Sequence, residues 1–142
     1  MIHKRTVLAW LAATVALIAT CFAAAPAQAA TTKSFIITCH SVKTNSEIVL
    51  RGEWRKTSTT VTGQHIKVIN TSDLDFHITR LRFTDETTGK YVNGYTGNLH
   101  PGRATASWSP KWSAPRKHRV VLALKGYMEK YFTDTVGCGS RP

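Results

Sequence analysis

The sequence predicts an all-β protein, and three observations lead to that fold class. After position 29, no stretch of ten or more residues has the i, i+3, i+4 apolar spacing of an amphipathic helix. Apolar side chains instead alternate with polar ones in short segments, and turn-forming residues separate these segments. Of the 142 residues, the 113 after position 29 suit one core of sandwich size and are too few for two. About eight short strands of this kind predict an antiparallel β-sandwich of immunoglobulin-like architecture.

The first residues predict an export signal. A basic head at residues 3–5 is followed by an uncharged apolar run at residues 7–25. Ala27-Gln28-Ala29 then supplies the small-x-small pattern after which signal peptidases cut. A lipoprotein signal ending at Cys21 and an uncleaved membrane anchor are the two alternative interpretations. We expect residues 1–29 to be a cleaved signal peptide.

Residues 30–142 are predicted to form a single secreted domain. Without Lys4 and Arg5, the chain keeps 17 basic and 8 acidic side chains, which gives a formal charge of +9. Such a charge indicates solubility and anionic partners, and it carries no information on the fold. The alanine-rich signal favours a bacterial protein, either free outside the cell or held at the cell envelope.

Two half-buried strands are predicted at residues 33–41 and 47–55. In each strand, apolar side chains occupy one face and most side chains of the other face are polar or charged, with Ile36 and Val49 as the exceptions. The two apolar faces consist of Phe35, Ile37 and Cys39 in the first strand and of Ile48, Leu50 and Trp54 in the second. Gly52 interrupts the second strand, and it predicts a β-bulge there.

Residues 64–89 are predicted to be the centre of the fold, with two strands and two polar turns. The side chains of residues 70–73, Asn-Thr-Ser-Asp, favour a turn because they hydrogen-bond to their own backbone. In the second strand, the apolar residues before and after Thr79-Arg80 fall on opposite faces. This phase shift predicts another β-bulge at Thr79-Arg80.

The rest of the chain predicts shorter strands. A short edge strand is expected at residues 59–62. A central strand covered on both faces is expected at residues 120–124, where five apolar residues follow one another. The remaining strands are expected at residues 91–95, 103–108 and 131–138, with a proline-containing loop at residues 109–118.

The cysteines predict one disulfide bond. Cys21 leaves with the signal, so Cys39 and Cys138 remain, and an exported chain with two cysteines can pair them in only one way. The bond would join the first predicted strand to the last. Two buried free thiols are the alternative interpretation.

The distribution of charge gives the strongest functional signal. Residues 87–128 are 42 residues without an acidic side chain, and basic residues alternate there with aromatic ones. Cations suit phosphate or carboxylate groups, and flat rings suit bases or sugars. The predicted binding face consists of Tyr91, Tyr95, Arg103, Lys111, Trp112, Arg116, Lys117 and Arg119. A solvated basic face without a ligand is the plainer interpretation.

The two tryptophans of this stretch carry different expectations. Trp108 lies at strand parity, so we predict that it packs in the core. Trp112 lies in the loop between Pro110 and Pro115. For Trp112, packing against the core and exposure in the loop are equally compatible with the sequence.

These features predict a non-catalytic binding module for an anionic or glycan partner outside the cell, such as a cell-wall polymer, a polysaccharide or a nucleic acid. A module that binds a protein, as an inhibitor, envelope factor or secreted toxin, is the alternative. A small secreted ribonuclease is a third function, but no glutamate base lies in residues 87–128. Common catalytic motifs and metal-ligand spacings are absent from the sequence, so no enzyme activity, metal or cofactor is expected.

Overall fold

A computed structural model describes residues 28–128 and 131–142, without the side chains of residues 131 and 132. The predicted signal peptide lies outside the described residues, apart from its last two. The described part of the chain forms strands and no helix, which confirms the all-β class. It therefore holds no helix that could cross a membrane.

Ten strands are present in the described residues, all paired in antiparallel fashion. They are β1 (Thr31–His40), β2 (Glu47–Lys56), β3 (Thr60–Asn70), β4 (Phe76–Asp85), β5 (Tyr91–Asn93), β6 (Gly97–Leu99), β7 (Thr105–Trp108), β8 (Ala114–Pro115), β9 (Val120–Met128) and β10 (Tyr131–Ser140). The predicted number of about eight is too low. Residues 91–99 form two short strands that both pair with β4, and β8 is a two-residue strand inside the predicted loop.

The strands form two sheets. The first sheet has the order β1-β2-β3-β7, and β8 also pairs with β3. The second sheet has the order β10-β9-β4-β5, and β6 also pairs with β4. Each sheet therefore has a long strand at one edge and short strands along the other, β7 and β8 in the first sheet and β5 and β6 in the second.

The strand-turn-strand unit predicted at residues 64–89 does not form a pair. β3 belongs to the first sheet and β4 to the second, so residues 71–75 cross from one sheet to the other. The buried Asn70 stabilises this crossing, because its Nδ2 donates to the carbonyl oxygens of Leu74 at 2.7 Å and of Leu99 at 2.8 Å. Its Oδ1 accepts from the backbone N–H of Ser72 at 3.1 Å, which confirms the predicted turn.

The predicted β-bulge at Thr79-Arg80 is confirmed, whereas the one predicted at Gly52 lies on the partner strand. The register of β2 against β3 shifts between Arg51 and Glu53, where Gly52 alone faces His65 and Ile66, so the extra residue belongs to β3. The register of β4 against β9 shifts between Ile78 and Arg80, so Thr79 is the extra residue. The second bulge turns Arg80 toward solvent and keeps the following apolar residues of β4 in the core.

One hydrophobic core is shared by both sheets. Trp54 of β2 and Phe83 of β4 lie with their ring centroids 6.1 Å apart. Both are fully buried, and the indole N–H of Trp54 donates to Ser140 Oγ of β10 at 2.9 Å. A buried tryptophan needs such a partner, because an unpaired N–H in the core costs free energy. Side chains from both sheets therefore hold the core together.

The predicted disulfide bond is confirmed. Cys39 of β1 and Cys138 of β10 are bonded, with their Cα atoms 5.8 Å apart. The bond joins the first strand to the last and connects an edge of one sheet to an edge of the other. It spans 99 residues of sequence, and the chain-entropy model gives a bond of that span about 4–5 kcal/mol of stabilisation.

Two predicted strand environments are wrong. Residues 59–62 do not form an edge strand, because β3 begins at Thr60 and pairs there with β2 and β8. β9 does lie between β4 and β10, as expected of a central strand. Only one of its faces is fully buried, however, since Val121 and Ala123 on the other face are partly exposed.

Candidate anion-binding site

One end of the two sheets carries a cleft lined by basic side chains. β2 and β10 end there, and β9 begins there, so residues distant in sequence come together. The cleft has a volume of about 330 Å³, and its polar lining consists of Lys56, Arg116, His118, Arg119 and Arg141. We call it the basic cleft. No Asp or Glu side chain of the described residues contributes to its lining, and its size is that of a site for a small polar group.

The loop before β9 is held in place by the turn after β2. The backbone N–H of Arg116 donates to the carbonyl of Thr59 at 2.8 Å, and Arg116 Nη1 donates to the carbonyl of Thr57, also at 2.8 Å. Thr57 Oγ1 in turn accepts from the N–H of Thr60 at 2.9 Å, which closes the turn on its own side chain. These bonds fix Arg116 beside Lys56 before any ligand binds, which lowers the entropic cost of binding.

A buried aspartate positions His118 in the cleft. His118 Nδ1 donates to Asp85 Oδ2 at 2.6 Å. Asp85 is 1% exposed, and it also accepts from the N–H of Thr87 at 2.9 Å and from Thr88 Oγ1 at 2.8 Å. Burial raises the pKa of Asp85, but the hydrogen bonds from His118, Thr88 and the backbone outweigh burial, so this pKa lies below its usual value.

The same turn holds Arg119 and Arg141. The N–H of Arg119 donates to Thr87 Oγ1 at 3.0 Å, and its carbonyl accepts from the N–H of Glu86 at 2.8 Å. Arg141 forms a bidentate pair with Glu86, with Nη2 at 2.9 Å from Oε1. Its hydrogen bond lowers the pKa of Glu86. Arg141 is thus the cleft cation that already has a carboxylate partner.

Trp112 lies beside the cleft end and is half-buried. Its ring centroid is 5.5 Å from that of Phe83, and Lys90 Nζ lies 4.6 Å from its ring centroid. Trp112 therefore packs against the core and carries a cation on its ring. Trp108 is also half-buried and packs against the core, as predicted.

The structure separates the residues of the predicted binding face into four places. Arg116, Lys117 and Arg119 lie in the loop at the basic cleft, although Lys117 does not line it. Lys111 and Trp112 line a groove of about 350 Å³ between the edge strands of the two sheets, together with Trp108.

The other three residues of that face lie apart from both places. Tyr91 is on β5, at an edge of the second sheet. Tyr95 lies between β5 and β6, with its hydroxyl donating to the carbonyl of Asn98 at 3.3 Å. The backbone N–H of Arg103 donates to the carbonyl oxygen of Asn70, the last residue of β3. Asn70 pairs with the start of β2, whereas the cleft lies where β2 ends, so Arg103 lies at the end opposite the cleft.

Sequence reasoning missed two cations of the cleft, Lys56 and Arg141. Both lie outside residues 87–128, so a search for one acid-free stretch could not include them. The predicted disulfide was the available signal for Arg141, since it ties β10 and the residues after it to β1. Nothing local marked Lys56, which is the last residue of an alternating strand.

Among the described residues, no three His, Cys, Asp or Glu side chains lie close enough together to hold a metal ion. Comparisons of the chain with protein-family models, with curated proteins and with solved structures find no match. The arrangement of the side chains is therefore what a functional proposal must rest on.

Proposed function

We propose that the protein is a small secreted binding module without catalytic activity, and that its basic cleft holds the acidic groups of an anionic extracellular polymer. In this proposal, residues 1–29 are a cleaved signal peptide and the two sheets form an immunoglobulin-like sandwich. One observation carries the proposal. Four Lys and Arg side chains from three separate parts of the chain converge on one cleft, and no Asp or Glu side chain of the described residues lines it.

The chemistry of the cleft favours phosphate, sulfate or carboxylate as the bound group. The guanidinium groups of Arg116 and Arg119 can each bind such a group through two parallel hydrogen bonds. Neither has a salt bridge to a described carboxylate, and the same holds for Lys56. An uncharged glycan is less well supported, since the polar lining of the cleft is cationic and Trp112 lines a separate groove.

Retention on immobilised polyanions over a salt series tests the proposal. Heparin, DNA and bacterial cell wall should each retain the protein at low salt, and binding should weaken as salt rises because counterions are released on binding. Absence of retention on all three at low salt would contradict the proposal.

Matched charge removal locates the site. Arg116→Ala combined with Arg119→Ala should lower the slope of log K against log salt by about 1.5, since each contact contributes about 0.7–0.9. Lys43→Ala combined with Arg103→Ala removes the same charge at the opposite end, and it should change the slope much less. Equal loss in both pairs would indicate binding through net charge alone.

The two other functions predict different results. A protein-binding module would form a stoichiometric complex that is lost in Trp112→Ala and is insensitive to polymers. A ribonuclease would degrade RNA, and intact RNA after incubation would exclude it.

A further inference from the structure

The outer face of the second sheet is a second surface rich in cations and rings. Strand pairing places its outward side chains in four rows. The rows consist of Tyr127, His77 and Asn98, of Lys125 and Arg80, of Ala123, Arg82 and Asn93, and of Val121, Thr84 and Tyr91. At about 3.4 Å per residue, the first and last rows lie about 20 Å apart. The rows thus form an extended surface, and we call it the outer face.

The outer face carries positive charge without compensation. Arg80, Arg82 and Lys125 lie in its two middle rows, and none of them forms a salt bridge with a carboxylate in the described part of the chain. None of the four rows contains an acidic residue. The bulge at Thr79 is what turns Arg80 outward to join Arg82 on this face. The charge can therefore serve a ligand.

Aromatic rings lie on both sides of the two middle rows, Tyr91 in the last row and His77 with Tyr127 in the first. Arg82 Cζ lies 3.9 Å from the ring centroid of Tyr91, and Arg82 Nε donates to Asn93 Oδ1 at 2.8 Å. In the first row, the rings of His77 and Tyr127 stack with centroids 5.0 Å apart and planes inclined by 27°. His77 Nδ1 also contacts Asn98 Oδ1. These contacts hold the rings in place before a ligand arrives.

We propose that the outer face binds single-stranded nucleic acid, with phosphates on Arg80, Arg82 and Lys125 and bases stacked on the rings of Tyr91 and of His77 and Tyr127. This inference rests on the proposed function, and it names the class of anionic polymer. Positive charge combined with ordered rings is what a surface needs to bind the phosphates and bases of a single strand.

The geometry favours a single strand over a duplex and over an acidic polysaccharide. In a duplex the bases are stacked on one another, so the rings of a sheet face cannot reach them, whereas the bases of a single strand are open. Two of the three cations are arginines, whose planar groups stack on bases as well as bind phosphate. Tyr91 is 50% exposed, so part of its ring remains accessible beside Arg82. A polysaccharide would use the charge but would gain less from planar stacking.

Fluorescence anisotropy with a labelled oligothymidylate of about 12 nucleotides tests the inference. We expect the full chain to bind the single strand at least about 10-fold more tightly than a duplex of equal length at the same salt concentration. Tyr127→Leu and Tyr91→Leu should each weaken single-strand binding by roughly 5- to 100-fold, and should leave heparin binding unchanged. Tyr95→Leu, which removes a ring outside the four rows, is the matched control and should bind as the parent does.

A second pair of variants covers the case in which a ring substitution disturbs the fold, which circular dichroism would detect. Arg80→Ala combined with Lys125→Ala changes two exposed side chains and should weaken single-strand binding more than heparin binding. Equal affinity for single strand, duplex and heparin, or no effect of the ring variants, would overturn the inference. So would tighter binding of a uronic acid polymer than of the oligonucleotide.

The inference and the proposed function fail in different ways. If the outer-face variants have no effect while Arg116→Ala combined with Arg119→Ala still reduces polyanion retention, only the inference is wrong. If no polyanion binds at low salt, both are wrong.

Discussion

At each end of the sheets a buried aspartate accepts hydrogen bonds from a loop, but the two ends differ in the other charges that they carry. At the basic cleft, buried Asp85 accepts hydrogen bonds from the turn after β4 and from His118. At the opposite end, buried Asp134 accepts from the N–H of Lys43 at 2.6 Å and from the N–H of Thr44 at 3.2 Å. Each end therefore has one carboxylate that satisfies the backbone of a loop.

The difference lies in the remaining charges. The opposite end also carries Glu47, Asp73 and Asp75, and Asp75 Oδ1 accepts from His100 Nδ1 at 2.9 Å. At the basic cleft, the acidic side chain beside Asp85 is that of Glu86, and it is paired with Arg141. Arg116 also holds the loop before β9 through the carbonyl of Thr57, whereas Lys56 and Arg119 form no salt bridge with a described carboxylate. Cations that the fold does not use are the ones available to a ligand.

Of the changes considered, removal of the disulfide bond should lower the free energy of unfolding most, and it should loosen the two ends unequally. Cys39→Ala combined with Cys138→Ala should lower the free energy of unfolding by about 4–5 kcal/mol. A β-bridge pairs the backbones of Ser41 and Val136, each two residues from a cysteine, near the end of the sheets opposite the basic cleft. We therefore expect amide hydrogen exchange to increase more in residues 41–46 than in residues 115–119. Equal increases in hydrogen exchange in the two loops would contradict this expectation. Urea unfolding measures the change in the free energy of unfolding.

Removing one buried carboxylate at a time separates stability from binding. Asp85→Ala and Asp134→Ala should each lower the free energy of unfolding by about 2–4 kcal/mol, because each leaves buried backbone N–H groups without an acceptor. Only Asp85→Ala should also weaken retention on heparin, since it releases His118 and the turn beside Arg119. Loss of binding in both variants would remove the functional distinction between the ends.

Acid should destabilise both ends together. Burial raises the pKa of Asp134, but hydrogen bonds from Thr44 and from the N–H of Lys43 outweigh burial, so this pKa, like that of Asp85, lies below its usual value. The ionised forms therefore stabilise the fold above the unfolded-chain pKa of about 3.9, and this stabilisation is lost as pH falls through the lower folded-state values.

We expect the free energy of unfolding to fall below about pH 4. Denaturant titrations at several pH values measure this dependence. Asp85→Asn combined with Asp134→Asn should flatten it, and an unchanged acid dependence in that variant would show that other groups cause the loss.

The smallest effect is expected for Glu86→Gln, which tests whether the surplus of cations at the basic cleft is what binds a polyanion. Glu86→Gln removes the carboxylate partner of Arg141 at an exposed site, so the midpoint of unfolding should change little. Binding to heparin should tighten, with the salt slope rising by about one, because Arg141 becomes available. Glu47→Gln, at the opposite end, is the matched control and should not raise the slope. Weaker binding in Glu86→Gln would indicate that the pair positions Arg141 for the ligand.

Local patterns in the sequence located most of the long strands but not their partners. The alternation around Trp54 and the phase shift at Thr79 depend on which side chains face the core, and this shows along the chain itself. The crossing from β3 to β4 is held by hydrogen bonds of Asn70 to residues up to 30 positions away. No sequence window around Asn70 contains that information.

The candidate site was predictable to the extent that its residues are neighbours in sequence. Arg116 and Arg119 lie in one basic loop, and both line the cleft. Arg103 belongs to the same acid-free stretch, but the chain returns to the opposite end between them. Lys56 and Arg141 reach the cleft because β2 and β10 end there. Charge counts along a chain describe composition, whereas strand direction decides which charges meet.

The order of strand pairing also bears on how the protein folds. β1, β2 and β3 pair with their neighbours in sequence, so the first sheet can begin as two local hairpins. β4 must find β9, whose paired residues lie 35 positions away at their nearest, Asp85 with Val120, and β10 then completes that sheet. Pairings over such separations form slowly. We therefore expect β1, β2 and β3 to pair before β4 joins β9 and before β7 joins β3.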